Sequence, residues 1–260
     1  MLEALFVIRR LASAKAVLPV VCGVLLATPD AAQAQQFFGD NQWVAPHGVA
    51  TLTGVVATEY SQAIATAALI PEWEFNLGYV HTYDDPLTNS SSFDTASFWV
   101  KRRLSQNETG TAGYAIVAGT GLWPEHIVDG NVSGAGESWW ANLNATYAFL
   151  DDTMLLDVLP GFVLDTDRKR SGENAWGFTY GSRVAWYGVI PQSALVAEVF
   201  GTAGEAFTEP SYRAGVRWES QKVIVTLTYT NAFDGSTGGG TELGFMYFTE
   251  PRFCLGGCRR

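Results

Sequence analysis

The chain has 260 residues, of which 47% are hydrophobic, 13% aromatic and only 16% charged, with a formal net charge of −10. An acidic chain of this kind is a poor partner for the phosphates of nucleic acid, and no run beyond residue 34 has the ~20 apolar residues of a spanning helix. High apolar content without such a run is what a membrane barrel shows, because its apolar residues are interleaved with polar ones.

Residues 1–34 read as a secretory signal peptide. Arg9, Arg10 and Lys15 give the positive region, Ala16 to Ala27 an apolar stretch too short to span, and Ala32-Gln33-Ala34 a cleavage site. Cys22 leaves with it. Loss of the segment takes the 26 acids and 16 bases of the chain to 24 and 13, a net charge of −11. Residues 35–47 have no period and are expected as a periplasmic N-terminal segment, with a small plug inside the lumen as the alternative.

From residue 48 the chain reads as strands. Val49 to Ala57 suits one. Gln62 to Leu69 suits a second after a turn near Thr58 to Ser61, although its alanines also suit a short helix. From Glu72 apolar and polar residues alternate with period two. Trp73, Phe75, Leu77 and Tyr79 oppose Glu74, Asn76 and Gly78. After the loop DDPLTNSSS, Phe93 to Leu104 returns and ends on Lys101-Arg102-Arg103; Gly113 to Leu122 then leads to the longest loop, WPEHIVDGNVSGAGES. Trp139 to Phe149, Met154 to Leu164, Trp176 to Trp186 and Leu195 to Val199 follow, joined by a tight turn at Asp151-Asp152, the loop TDRKRSGEN and a turn at Pro191. The last three strands hold Tyr212 to Trp218, Val223 to Tyr229 and Leu243 to Tyr247.

Short and long connections alternate without a break from residue 73 onward, as periplasmic turns and external loops do. Ten strands plus the first pair give about 12, an even count of the kind single-chain bacterial barrels have. The expected fold is all-β, a transmembrane up-and-down antiparallel β-barrel over residues 48–249 with a C-terminal tail at 250–260. The expected location is the outer membrane, whose lipid and barrel-assembly machinery would be its partners.

Arginine or lysine on the lipid face at mid-membrane costs about 2–4 kcal/mol. That cost puts Arg183, Arg213 and Arg217 on the lumen side or near an interface, and parity puts Glu74, Asn76, Asn142, Asn144, Asp157, Glu198 and Glu242 on the same face. These ten are the candidate lumen-lining residues. They either meet a solute or pair with one another in a filled lumen. Neighbouring strands in sequence are neighbours in space, so the three arginines are expected to pair with Glu198 and Glu242 and to narrow the lumen. The tryptophans read as anchors at the membrane interfaces.

No catalytic set emerges. His47, His81 and His126 are the only histidines, and neither the two Asp-His pairs of a barrel protease nor a Ser-His-Asn set can be assembled around them. No cofactor or metal is expected: the acidic loops lack EF-hand spacing, and GSTGGG lacks the Lys-Ser/Thr of a phosphate loop. Cys254 and Cys258 in the tail CLGGCRR are a candidate disulfide in an oxidising periplasm, since two thiols alone make no structural zinc site.

The ending YRAGVRWESQKVIVTLTYTNAFDGSTGGGTELGFMYF resembles the last hairpins of the outer-membrane family named for the MetA pathway of phenol degradation. There a GxRW or GxRY strand, a short turn and an aliphatic strand run into a Gly/Asp loop. The resemblance covers roughly the last 120 residues. It implies an outer-membrane channel or transporter for small, often hydrophobic, compounds; an outer-membrane barrel with a structural or surface role and no transport is the alternative. Gly244 and Tyr247 partly match the assembly signal of a last strand, but Phe248 is followed by TEPRFCLGGCRR where such chains commonly end on an aromatic.

Overall fold

A computed structural model describes residues 41–83, 92–121, 134–166, 174–206, 208–235 and 240–255. The expected signal segment, the loop carrying His126 and residue Cys258 lie outside these. Every regular element among the described residues is a strand: β1 (Ala50–Ala57), β2 (Tyr60–Ile70), β3 (Trp73–Thr82), β4 (Phe93–Gln106), β5 (Gly113–Thr120), β6 (Ser138–Phe149), β7 (Met154–Val158), β8 (Gly161–Asp165), β9 (Ala175–Tyr187), β10 (Ser193–Gly204), β11 (Thr208–Glu219), β12 (Val223–Ala232) and β13 (Gly240–Phe248). Neighbouring strands pair antiparallel, and β13 pairs with β1 from Phe248 opposite Thr51 to Glu242 opposite Ala57, so the sheet closes.

Strands β7 and β8 both lie between β6 and β9 and form one crossing. The break falls at Leu159-Pro160, where proline has no N–H to give to the ladder. The neighbouring groups still pair: Leu159 and Gly181 exchange N–H···O bonds of 2.8 and 3.1 Å, and Leu143 donates to the Pro160 carbonyl at 2.9 Å. Parity runs straight through, so the barrel has twelve crossings.

Alternation sets the faces. Outward residues form an exposed apolar belt that includes Leu52, Leu77, Phe98, Ile116, Leu143, Val216, Leu227 and Phe245. Aromatic residues edge it: Tyr114, Tyr147, Trp186 and Tyr247 near one end, Tyr79, Trp139, Trp176 and Tyr229 near the other. A belt of this kind round a closed barrel is the lipid-facing surface of a membrane-spanning barrel. Trp99 and Trp140 depart from the expected anchoring role. They are buried on the inner face with ring centroids 6.3 Å apart. Glycines make room for them: a side chain at Gly119 would meet the Trp99 Cβ at 2.5 Å and the Trp140 Cζ2 at 2.7 Å.

The first hairpin is two strands and no helix, as expected, but its turn is only Thr58-Glu59; Tyr60 and Ser61 already pair within β2. This turn lies at the end that carries the connections 83–92, 121–137, 166–174, 205–207 and 233–239, here termed the long-loop end. The tight turn after β6 holds Leu150, Asp151 and Asp152 at φ of 53°, 54° and 63°, a left-handed run at the short-turn end.

Residues 41–47 enter the lumen from the short-turn end. The Ala45 N–H donates to Glu74 Oε1 at 2.6 Å, the Gln42 N–H to Thr146 Oγ1 at 3.2 Å and Gln42 Nε2 to the Gly110 carbonyl at 3.0 Å. Trp43 meets Phe248 edge-on at 6.4 Å, beside the inner-face apolar cluster of Val55, Tyr60, Val80 and Ile224. The tail folds over the same end: Arg252 and Phe253 donate to the Gly48 carbonyl at 2.9 and 3.0 Å, and Leu255 to Leu69 at 3.0 Å. Cys254 is disulfide-bonded.

Gly215 on β11 faces inward between Arg213 and Arg217, where an added Cβ would run into the Leu227 carbonyl and, at 2.7 Å, the Thr228 Cα of β12. Both are backbone and cannot swing aside. Gly215→Val is therefore expected to destabilise the barrel by about 1–3 kcal/mol, the usual cost of overpacking. The urea midpoint of the purified protein in detergent checks this, and an unshifted midpoint would show that the two strands are not so closely apposed.

Candidate functional site: a charged inner wall

All ten residues expected on the lumen side are inward, and none exceeds 6% exposure. The register brings five of the charges into one band. Asp157 of β7 lies opposite Arg183 of β9, Arg183 opposite Glu198 of β10, and Glu198 opposite Arg213 of β11. Arg213 then reaches past β12 to Glu242 of β13. The charge signs run − + − + over the successive neighbours β7, β9, β10 and β11, and − again on β13.

The contacts are close. Arg183 donates to Asp157 Oδ2 through Nη2 at 2.7 Å and Nε at 3.1 Å, while the Thr146 hydroxyl donates to Oδ1 at 2.6 Å. Arg213 donates through Nη1 to Glu198 Oε2 at 3.0 Å and through Nε to Glu242 Oε2 at 2.8 Å. Glu242 also accepts from the Tyr60 hydroxyl at 2.8 Å and from Thr228 at 2.9 Å. Arg213 lies 5.2 Å from the Phe200 ring centroid. One turn nearer the short-turn end, Arg217 pairs with Glu219 and with the Tyr187 hydroxyl, which itself donates to Glu219 at 3.1 Å. A buried arginine stripped of water demands such partners, and each carboxylate here has at least one. The expected partners of Arg213 are the ones it has, whereas Arg183 bonds Asp157 and Arg217 bonds Glu219.

The remaining candidates lie on β3 and β6. Lys101 Nζ stands 3.9 Å from Glu74 Oε2, and Glu74 also holds the Ala45 amide. Asn76 accepts from Thr66 at 2.6 Å, Asn142 from Thr179 at 3.3 Å, and Asn144 donates to the Asn41 carbonyl at 3.3 Å. Glu74 and Asn144 thus grip the entering segment and do not line an open passage at its level. The space left among Arg183, Val196, Glu198, Arg213, Arg217, Thr226 and Thr228 is about 20 Å³, room for a water molecule.

Four inner-wall residues escaped the sequence reading. Lys101 was legible in principle, since it shares parity with Ser97 and lies opposite Glu74, but inward Trp99 between them hides the alternation. Glu219 follows Arg217 at period two. Tyr60 fell in the expected turn, and Tyr187 at the end of its strand. Outside the lumen, His81 Nδ1 lies 2.8 Å from Asp94 on the exposed outer wall, and the Tyr79 hydroxyl donates to the same oxygen at 2.6 Å.

Fold and site together define a twelve-strand membrane-spanning β-barrel whose lumen is narrowed by paired charges and by its own N-terminal segment. No family model matches the chain, and no curated protein matches it. Solved structures do. An outer-membrane channel from Pseudomonas putida F1 is 14% identical, with a TM-score of 0.48 over 79% of this chain and 97% of that one. The KdgM porin in complex with disordered oligogalacturonate is 8% identical, with a TM-score of 0.47 over 76% and 98%. The β domain of the Bordetella autotransporter BrkA is 11% identical, with a TM-score of 0.40 over 76% and 97%. Each is similar in barrel architecture.

Proposed function

We propose that this chain is an outer-membrane channel or transporter for small solutes, related to the MetA-pathway family, and that the state described is a closed one. The reading rests chiefly on where the inner charges lie. Their contacts run along the wall, within one strand or to a strand one or two away; the short-turn mouth is filled by residues 41–47. Removal of that segment is a smaller step than dismantling a core. In this reading cleavage near Ala34 frees the segment's start, the long loops face outward, and Gly244 and Tyr247 meet the assembly machinery. The small space beside Arg213 favours the second reading, a barrel with a structural or surface role and no transport.

Planar-bilayer conductance and solute-dependent liposome swelling separate the two: transport requires openings above the leak of protein-free membranes, and their absence under all voltages and solutes would leave the structural role. Selectivity supplies a further test. Arg217→Ser leaves Glu219 without its cation, so an open lumen is expected to shift towards cations, read as a reversal potential in a salt gradient. An unchanged reversal potential would place Arg217 away from the ion path.

A further inference from the structure

A cleft of about 380 Å³ opens at the short-turn end, lined by Glu72, Trp73, Arg102, Arg103 and Leu104 among others. Its two arginines differ. Arg103 is held by Glu72, donating to both carboxylate oxygens, one at 2.9 Å. That bonding keeps the Glu72 carboxyl, in its turn outside the belt, below the usual carboxylate range. Arg102 is exposed and outward, no carboxylate among the described residues pairs with it, and it lies 5.1 Å from the Trp73 ring centroid. A guanidinium resting on an indole keeps its outer N–H groups free and held in one plane.

The wall leading away from it is apolar and in register. Trp73 lies opposite Arg102, Phe75 opposite Val100 and Leu77 opposite Phe98, all outward. The four steps of strand from Trp73 to Leu77 extend about 13 Å, about 9–10 Å along the membrane normal at a barrel tilt of about 35–45°, roughly a third of a hydrocarbon core of about 30 Å. A cation and a concave polar seat at one end of an apolar strip match a phospholipid, headgroup at Arg102 and the upper part of an acyl chain along β3 and β4.

We propose that this cleft is a binding site for an anionic phospholipid, with Arg102 and Trp73 holding the headgroup phosphodiester. It rests on the membrane placement above but not on conduction. The full mature chain, purified in detergent, is titrated with phosphatidylglycerol, phosphatidylcholine or inorganic phosphate, and binding is followed by native mass spectrometry. Phosphatidylglycerol is expected to bind the wild type more tightly than phosphatidylcholine, and Arg102→Gln to weaken it about fivefold. Trp73→Leu weakens it less, and Arg102→Lys restores part of the loss. All three outer-wall variants keep the heat-dependent gel shift of a folded barrel. Equal phosphatidylglycerol binding by wild type and Arg102→Gln overturns the proposal, as does displacement of the lipid by inorganic phosphate at equal concentration, which would mark a free-anion site. Because no current is measured, a barrel that conducts nothing yet keeps the lipid preference defeats the channel reading alone.

Discussion

Replacing Arg213 by methionine is expected to destabilise the barrel by about 3–5 kcal/mol, the cost of removing one partner from a buried ion cluster. Arg213 stands between Glu198 at 3.0 Å and Glu242 at 2.8 Å, and those carboxylates are 5% and 1% exposed. Its loss leaves two acids facing a space of about 20 Å³, too small to hydrate both. The methionine keeps most of the volume, so the charge is what changes. Arg213→Lys should fall between, because one ammonium cannot reproduce the fork that serves both acids. Adding Glu198→Gln and Glu242→Gln to Arg213→Met should return much of the loss. Urea midpoints in detergent give all four values, and a full-strength Arg213→Met barrel would mean that water reaches these acids freely.

A mature chain shortened to begin at His47 is expected to open. It retains Gly48, whose carbonyl holds Arg252 and Phe253, and so keeps the C-terminal tail in place. It loses Gln42, Trp43 and Ala45, and with them the contacts to Thr146, Phe248 and Glu74. Channel openings should become more frequent and larger than those of the chain starting at Gln35. Glu74→Ala should move the same way by a smaller step, since it removes only the acceptor for the Ala45 amide. If shortened and full chains carry the same current, residues 41–47 are not the barrier.

The inner wall was legible because lipid enforces it. Within the apolar belt an arginine has nowhere to go but inward, and period two then assigns every second residue of its strand; Arg213 and Arg217 fix Gly215 and Glu219 by this logic alone. The first hairpin was harder because Ala63, Ala65 and Ala67 are too small to separate the two faces. The path of residues 41–47 had no local signal at all. It is set by hydrogen bonds to residues 29 and 104 positions away in sequence, which no period within the segment can encode. Arg217 and Glu219 lie on one strand two residues apart, a pairing that attention to neighbouring strands passes over.

The alternation of sign among Asp157, Arg183, Glu198, Arg213 and Glu242 also governs how far these charges are felt. Strands stand about 4.8 Å apart, so the pattern repeats about every 10 Å from Asp157 to Arg213, with a double step on to Glu242. Opposite charges at that spacing cancel within a few ångströms of the surface, as the field of any finely striped array does. The five formal charges sum to −1, so an ion passing along the opposite side of the barrel would sense one net negative charge and little of the pattern that carries it. Size and contact would then weigh more than the sign of its charge, and loss of either arginine would double the net charge that the wall presents.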